Sequence, residues 1–175
     1  LDLARGDCPS LQQVLTFGGE LEARAAGKPA VFDNVDTAAD DICLMAFTSG
    51  TTGVPKGTLH FHRDVMAATA CWPPHVLRAA PDDVFIGSPP LAFTFGLGGL
   101  LLFPLAIGAS TVLVEKTAPD ALLQAIAQFR ASVCFTAPTS YRAMAAMVAQ
   151  HDVSSLRKCV SAGEALPADT HLRKE

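Results

Sequence analysis

The sequence predicts an α/β fold, a mainly parallel sheet with covering helices, and three observations predict it. Short apolar runs typical of buried strands alternate with segments at helical spacing through the second half of the chain. A glycine-rich loop directly follows one apolar run. Half of the 175 residues are hydrophobic, which is ample for the core of one domain.

The first 41 residues predict one helix and a loop. Ser10 with Gln13 is typical of a capping box and opens a helix that Gly18 and Gly19 would end. Residues 27–41 predict loop, because they are rich in turn-forming side chains, namely Asp33, Asn34, Asp36, Asp40 and Asp41.

A loop rich in glycine and hydroxyl groups lies between two predicted strands, residues 42–47 and 58–61. Glycines bring backbone N–H groups close to an anion, hydroxyls add donors, and a lysine adds charge, so the loop predicts binding of a nucleotide triphosphate. A Walker loop is excluded, since Lys56 lies between Pro55 and Gly57 and no helix can begin there in the usual way. The phosphate-binding residues predicted here are Thr48, Ser49, Gly50, Thr51, Thr52, Gly53 and Lys56.

Residues 84–114 contain no charged side chain, which raises the question of a membrane span. Prolines limit the longest proline-free stretch to 13 residues, whereas a spanning helix needs about 20. We therefore expect no membrane span. Buried elements are predicted instead: strand 84–88, helix 97–107 and strand 110–114.

The remaining chain continues the alternation of helix and strand. Pro119 and Asp120 begin a helix whose shared face carries Leu122, Leu123, Ile126 and Phe129. Residues 133–136 predict a buried strand. A helix with Tyr141, Met144 and Val148 on one face follows, and strand 157–161 then leads into Gly163.

Composition excludes several function classes. The formal net charge is −4 and the 13 Lys and Arg residues are scattered, so no nucleic-acid partner is expected. Five cysteines without paired spacing suit buried thiols in a reducing compartment. His60 and His62 would face opposite sides of one strand, so no metal site is expected. The chain starts at Leu1 without a signal peptide, which predicts a cytoplasmic protein and a partial chain.

Five motifs follow one another along the chain: the loop at residues 48–57, His60 to Asp64, residues 89–99, Ala137 to Tyr141, and Ser161 to Pro167. Their order resembles that of the adenylate-forming superfamily, which includes acyl-CoA and aryl-CoA synthetases, luciferases and peptide-synthetase adenylation domains. The loop at residues 48–57 resembles the phosphate loop of that superfamily. The resemblance implies that residues 1–175 form a fragment of one AMP-binding (adenylation) domain, part of a large N-terminal domain, with the C-terminal lysine-bearing domain absent.

The resemblance also implies a reaction. An acid attacks the α-phosphate of ATP to give an acyl adenylate and pyrophosphate, and a thiol such as CoA then forms a thioester. Donors around the β- and γ-phosphates would stabilise the leaving pyrophosphate, with Mg²⁺ held by a residue outside this chain. Implied contacts on the adenine and acyl side are Ala162, Gly163, Glu164 and Ala165; a solvated role for Glu164 stays open.

The identity of the acid depends on residues 90–96. Many relatives in the superfamily carry a histidine where this chain has Phe93. Phe93, Phe95 and Gly96 predict an aromatic-lined slot for a planar acid, although both phenylalanines could equally be core residues. The stretch resembles benzoate and 2-aminobenzoate CoA ligases. A fatty-acyl-CoA ligase, a peptide-synthetase adenylation domain and a non-catalytic nucleotide-binding module stay open. We expect residues 1–175 to be inactive alone.

Overall fold

A computed structural model of the chain describes residues 6–8, 10–48 and 53–166. The chain divides into two compact units, residues 1–37 and 38–175. In the first unit, helix α1 (Glu20–Ala26) begins where Gly18 and Gly19 donate their backbone N–H groups to the Glu22 carboxylate, at 3.0 and 2.7 Å. The predicted helix from Ser10 to Gly18 is therefore wrong, because these glycines precede a helix rather than end one. The loop predicted over residues 27–41 is confirmed.

Strands β1 (Ile42–Phe47) and β2 (Gly57–Phe61) form an antiparallel hairpin in which Phe47 lies opposite Gly57. This pairing confirms the predicted arrangement of strand, loop and strand. The chain thus enters a second strand at Gly57, and no helix begins at Lys56.

Helix α2 (His62–Trp72) follows β2 directly, and the sequence did not predict it. The Asp64 carboxylate accepts the backbone N–H of Phe61 at 2.9 Å, which caps the first turn. His62 is thus the first helical residue, so the expectation that His60 and His62 lie on one strand is wrong. Past Trp72 the helix widens into a π-helical turn at Pro73–Leu77, where two successive prolines lack N–H donors.

The described residues include four further strands, β3 (Val84–Gly87), β4 (Ser110–Val112), β5 (Val133–Thr136) and β6 (Lys158–Ser161). They form a wholly parallel sheet in the order β4, β3, β5, β6. The predicted parallel α/β sheet is confirmed. Strand β5 has the predicted bounds, β3 and β4 end one and two residues earlier than predicted, and β6 begins one residue later.

Helices connect these strands. Segments α3 (Thr94–Leu97), a π-helical turn (Gly98–Leu102) and α4 (Phe103–Ile107) are contiguous, so the helix predicted over 97–107 begins three residues earlier. Helices α5 (Pro119–Phe129) and α6 (Pro138–Ala145) both start with proline in the first turn. Phe129 is 47% exposed at the end of α5, and Val148 lies in a separate 3₁₀ turn (Val148–Gln150). Phe129 and Val148 therefore do not belong to the buried faces of α5 and α6 on which the sequence placed them.

Successive side chains of β3 and β5 point to opposite faces of the sheet, and both faces are apolar. Ile86 and Cys134 point to a core shared with α5 and α6, whereas Phe85, Val133 and Phe135 point to the opposite core, against Trp72, Leu100 and Phe103. Helices thus cover both faces of the sheet. None of the helices in the described part of the chain is long and apolar enough to cross a membrane.

All five cysteines lie among the described residues and none forms a disulfide, but only Cys134 is buried. The expectation of buried thiols is wrong for Cys8, Cys43, Cys71 and Cys159. Among the described residues, Cys43 and Cys159 lie on strands at the edge of their sheets, β1 and β6. Burial raises the pKa of the Cys134 thiol to about 12, so it stays protonated at neutral pH.

Candidate functional site

The carboxyl edge of the parallel sheet brings together residues from three separate predicted segments. Ser88 follows β3, Thr136 ends β5 and Ser161 ends β6. The hydroxyl oxygens of Ser88 and Thr136 are 2.5 Å apart, and this hydrogen bond ties the ends of β3 and β5 together. In open parallel sheets ligands bind outside the carboxyl ends of the strands, so this edge is the expected place for a site.

A cavity of about 420 Å³ opens at this edge, within the size range of small-ligand sites. Its wall is largely aromatic and comes from Trp72, Phe95, Phe103 and Phe135, together with Val160. Two of the lining residues carry hydroxyl groups, Thr94 at the start of α3 and Ser161 at the end of β6, and Ala162 completes the lining. An apolar wall with a few polar groups suits a flat molecule that carries one polar end.

The aromatic wall is an interlocked set of rings. Trp72 stacks on Phe103 with ring centroids 5.3 Å apart, and its edge meets Phe135 at 6.0 Å. Phe135 also contacts Phe95, at 5.5 Å, and stacks on Phe85, at 6.0 Å. Phe135 therefore contacts three of the rings, and Trp72 links Phe103 to this set.

Glycines make room for these rings. A Cβ on Gly99 would lie 2.3 Å from Cδ1 of Phe135, and one on Gly98 would lie 3.2 Å from the Phe103 ring. At Gly96 a Cβ would lie 2.1 Å from the carbonyl oxygen of Pro90, so backbone meets backbone there. Any side chain at Gly96 or Gly99 would displace its neighbour.

The three residues predicted to form the acid pocket differ in their position relative to the cavity. Phe95 lines the cavity, and Gly96 is buried directly behind it. Phe93 is 65% exposed and is not part of the cavity wall. The difference arises because Phe93 precedes α3 in extended conformation, whereas Phe95 is inside the helix and turned towards the sheet.

Past β6, the chain turns at Gly163, whose φ of +89° favours glycine. Ala162 lines the cavity, while Glu164 and Ala165 are exposed. The Thr139 hydroxyl donates to the Glu164 carboxylate at 3.1 Å, which fixes the loop against the start of α6. Two of the motifs singled out in the sequence, residues 137–141 and 161–167, therefore meet; Pro167 lies outside the described residues.

The hairpin loop is closed by two contacts between Thr48 and Lys56. The backbone N–H of Thr48 donates to the Lys56 carbonyl at 2.9 Å, and the Lys56 N–H donates to the Thr48 hydroxyl at 3.3 Å. Gly53 turns the loop with a φ of +86°. The Lys56 side chain is exposed. Ser49, Gly50, Thr51 and Thr52 lie outside the described residues.

The sequence did not predict the three aromatic cavity residues Trp72, Phe103 and Phe135, nor Val160 beside them. Each ring lies in a segment that is apolar enough to be core, and the three rings come from α2, α4 and β5. The only signal was that Trp72 is the single tryptophan of the chain. Nothing local in the sequence shows that these rings meet.

The amino edge of the same sheet carries the strongest electrostatic cluster. The buried Asp83 carboxylate accepts hydrogen bonds from the Ser132 hydroxyl at 2.6 Å, Arg157 at 2.7 Å and Lys158 at 2.6 Å. Burial alone would raise the pKa of Asp83, but the bonds from Lys158, Ser132 and the Ala80 N–H outweigh it and lower the pKa to about 2. Both carboxylate oxygens accept hydrogen bonds, and Lys158 also donates to the Arg78 carbonyl at 2.8 Å, so we interpret the cluster as structural.

Comparisons with known proteins agree with this geometry. The AMP-binding enzyme family matches residues 3–174. Benzoate–CoA ligase of Thauera aromatica is 35% identical over 178 residues, which cover 96% of this chain and 33% of that protein. The chain spans about a third of the length of the curated relatives it matches.

Two solved structures are similar as well. The anthranilate CoA ligase AuaEII, crystallised in complex with anthranoyl-AMP, superposes with a TM-score of 0.88 at 38% identity, covering 97% of this chain and 34% of that one. ATP-bound MatB from Rhodopseudomonas palustris superposes with a TM-score of 0.74 at 30% identity, covering 87% of this chain and 30% of that one.

Proposed function

Because the chain belongs to the AMP-binding enzyme family, we propose that the polypeptide containing it is an acid–thiol ligase that activates an aromatic carboxylic acid. The resemblance to the adenylate-forming superfamily is confirmed, and so is the fold class. The observation that carries the proposal is the aromatic cavity at the carboxyl edge of the sheet. Benzoate and 2-aminobenzoate are the substrates to test first, since the similar proteins are named as ligases of benzoate and anthranilate.

The proposed reaction has two steps. A carboxylate oxygen attacks the α-phosphorus of ATP, the bond to pyrophosphate breaks, and an acyl adenylate remains. The CoA sulfur then attacks the carbonyl carbon, the thiol proton leaves, and AMP departs with the bonding electrons. Donors that hold the departing pyrophosphate lower the barrier of the first step, because negative charge develops there.

We assign the β- and γ-phosphates to the hairpin loop, residues 48–56. The contacts between Thr48 and Lys56 preset the two ends of this loop, and the exposed Lys56 ammonium is available to phosphate oxygens. On the acid side, the ring lies in the aromatic cavity, and Ala162, Gly163, Glu164 and Ala165 border the adenylate. Thr94 and Ser161 supply the polar lining that the carboxylate end requires.

In this proposal Mg²⁺ accompanies ATP, and its protein ligand lies outside residues 1–175. Among the described residues no three His, Cys, Asp or Glu side chains come together as a metal site. Residues 1–175 are part of one adenylation domain, and a C-terminal lysine-bearing domain completes the enzyme. We expect residues 1–175 to have no catalytic activity alone. A cytoplasmic location suits the five reduced cysteines.

The test is acid-dependent exchange of pyrophosphate into ATP by the longest natural polypeptide that contains this sequence. Benzoate, 2-aminobenzoate and a fatty acid are compared. Lys56→Ala should lower the exchange rate about 100-fold, as for loss of one charge-stabilising donor. Lys28→Ala, an exposed lysine in the first unit, is the matched control and should leave the rate unchanged.

The outcomes separate the alternatives. Exchange with aromatic acids supports the proposal. Exchange with the fatty acid alone would make the protein a fatty-acyl-CoA ligase, and transfer to a carrier-protein thiol instead of CoA would make it a peptide-synthetase adenylation domain. ATP binding without exchange would leave a non-catalytic nucleotide-binding module. Turnover by residues 1–175 alone would contradict the assignment of a further domain to catalysis.

A further inference from the structure

We propose that Trp72 determines how large an aromatic acid the cavity accepts, and that Gly99 positions the wall by leaving room for Phe135. The inference rests on the proposed function and adds a specificity-determining residue to it. Trp72 is the bulkiest group of the cavity wall, and it comes from helix α2 rather than from the sheet edge.

The chemistry of the lining orients the acid. Its hydroxyl groups come from Thr94 and Ser161, and both belong to the chain segments at the carboxyl edge. A carboxylate is stabilised there, whereas the ring is stabilised against the apolar wall. The ring position opposite the carboxylate, the para position, therefore points to the wall that includes Trp72.

The wall is rigid at Trp72. The indole is stacked on Phe103 at 5.3 Å and its edge meets Phe135 at 6.0 Å. The Phe103 ring in turn lies against Gly98, where even a methyl group would stand 3.2 Å away. The buried Pro73 follows directly and fixes the backbone. A wall held from several sides cannot make room for a larger acid without disturbing the core.

Gly99 contributes to the same wall by leaving space for the Phe135 ring. Phe135 is buried, and its ring fills the space that a Gly99 side chain would need, with Cδ1 2.3 Å from the position of a Cβ. On its other sides Phe135 packs on the buried Phe85. The free volume beside Phe135 is the cavity, so a methyl group at residue 99 would drive the ring into it.

The experiment measures pyrophosphate exchange by the longest natural polypeptide with benzoate and with 4-methylbenzoate. We expect the wild-type protein to prefer benzoate by at least about 10-fold in kcat/KM, the effect of one extra carbon in a filled pocket. Trp72→Ala should remove most of this preference. Trp72→Phe keeps a ring in the wall and should retain it. Gly99→Ala should raise KM for benzoate while its effect on KM for ATP stays small.

A control separates specificity from stability. Phe85→Leu alters a buried ring that contacts Phe135 but does not line the cavity, so it should lower the unfolding temperature and leave the substrate preference unchanged. A second readout needs no turnover: benzoate should change the tryptophan emission that comes from Trp72, which is the difference between the spectra of the wild-type protein and of Trp72→Phe.

The results separate the two proposals. Exchange with benzoate combined with an unchanged preference in Trp72→Ala would overturn the role of Trp72 and leave the proposed function intact. An equal change of preference in Phe85→Leu would also overturn it, because packing alone would then explain the effect. No exchange with any aromatic acid by the wild-type protein would overturn both.

Discussion

The two edges of the parallel sheet contrast in chemistry. At the amino edge, Asp83, Ser132, Arg157 and Lys158 form a compact network in which the buried carboxylate accepts a hydrogen bond from each of the other three. At the carboxyl edge, a cavity is lined by aromatic rings and by two hydroxyl side chains, and the exposed Glu164 is its charged neighbour. One edge is satisfied internally, whereas the other has room and polar groups for a ligand.

The contrast between the two edges indicates that a strongly shifted pKa need not mark a functional site. Asp83 combines burial, two cations and a pKa near 2, a combination that is often sought in active sites. Its hydrogen bonds instead hold the starts of β3, β5 and β6 in register, since they link the residues that precede or begin these strands. The opposite edge can then offer a cavity of fixed shape.

The largest effect is expected from Asp83→Ala. Removing the carboxylate leaves the partly buried Lys158 ammonium and the Ser132 hydroxyl without their shared acceptor, and breaking a buried ion pair costs about 3 kcal/mol of unfolding free energy. Denaturant titration of the longest natural polypeptide measures this loss. The preference for benzoate over 4-methylbenzoate should be unchanged in whatever fraction folds. If Asp83→Ala were stable and had an altered preference between benzoate and 4-methylbenzoate, the inference that the amino edge is only structural would be wrong.

Lowering the pH should remove the contribution of the Asp83 network to the free energy of unfolding. Because the folded pKa of Asp83 is lowered from 3.8 to about 2, its stabilisation is fully present above the unfolded pKa and is lost as pH falls through the folded one. The stability difference between the wild-type protein and Asp83→Asn should therefore be constant near neutral pH and shrink between pH 3.8 and about 2. A difference that stays the same across this range would mean that Asp83 is not charged in the folded protein.

A smaller effect is expected from Tyr141→Phe, which acts nearer the carboxyl edge. The buried hydroxyl donates to the carbonyl of Cys134 at 2.6 Å and contacts that of Val160 at 3.3 Å, so it links β5 to the strand that lines the cavity. Burial raises the pKa of this phenol, which therefore stays protonated and donates. We expect a loss of about 1 to 2 kcal/mol by thermal unfolding and a raised KM for the acid. A stability loss without any change in KM would assign Tyr141 to the core alone.

The smallest effect on stability is expected from Glu164→Ala. Its hydrogen bond from Thr139 is solvent-exposed, so its loss should change the unfolding free energy by less than about 0.5 kcal/mol. If Glu164 borders the adenylate, as proposed, KM for ATP should nevertheless rise. Thr139→Val removes the same hydrogen bond and keeps the carboxylate, which makes it the matched variant. Equal effects of both variants on KM would assign the role to the position of the loop rather than to the charge.

The sequence predicted the strands and the parallel sheet well, because their apolar runs are short and bounded by turns. It failed at Ser10 and at α2. The Ser10 capping pattern needs only two residues and occurs by chance, whereas α2 begins directly at the end of a strand and carries a weak apolar face. Phe93 and Phe95 looked equivalent in the sequence, but only Phe95 reaches the cavity, since the start of α3 lies between them.

From the sequence alone we infer the α/β alternation, the glycine-rich hairpin loop with Lys56 and the resemblance to the adenylate-forming superfamily. These features depend on local composition and on the order of residues along the chain. The three-dimensional structure was needed to show that Trp72, Phe95, Phe103 and Phe135 form one wall and that the Asp83 cluster lies at the opposite edge of the sheet. Ring packing and burial depend on contacts between residues far apart in the chain, and local periodicity does not encode such contacts.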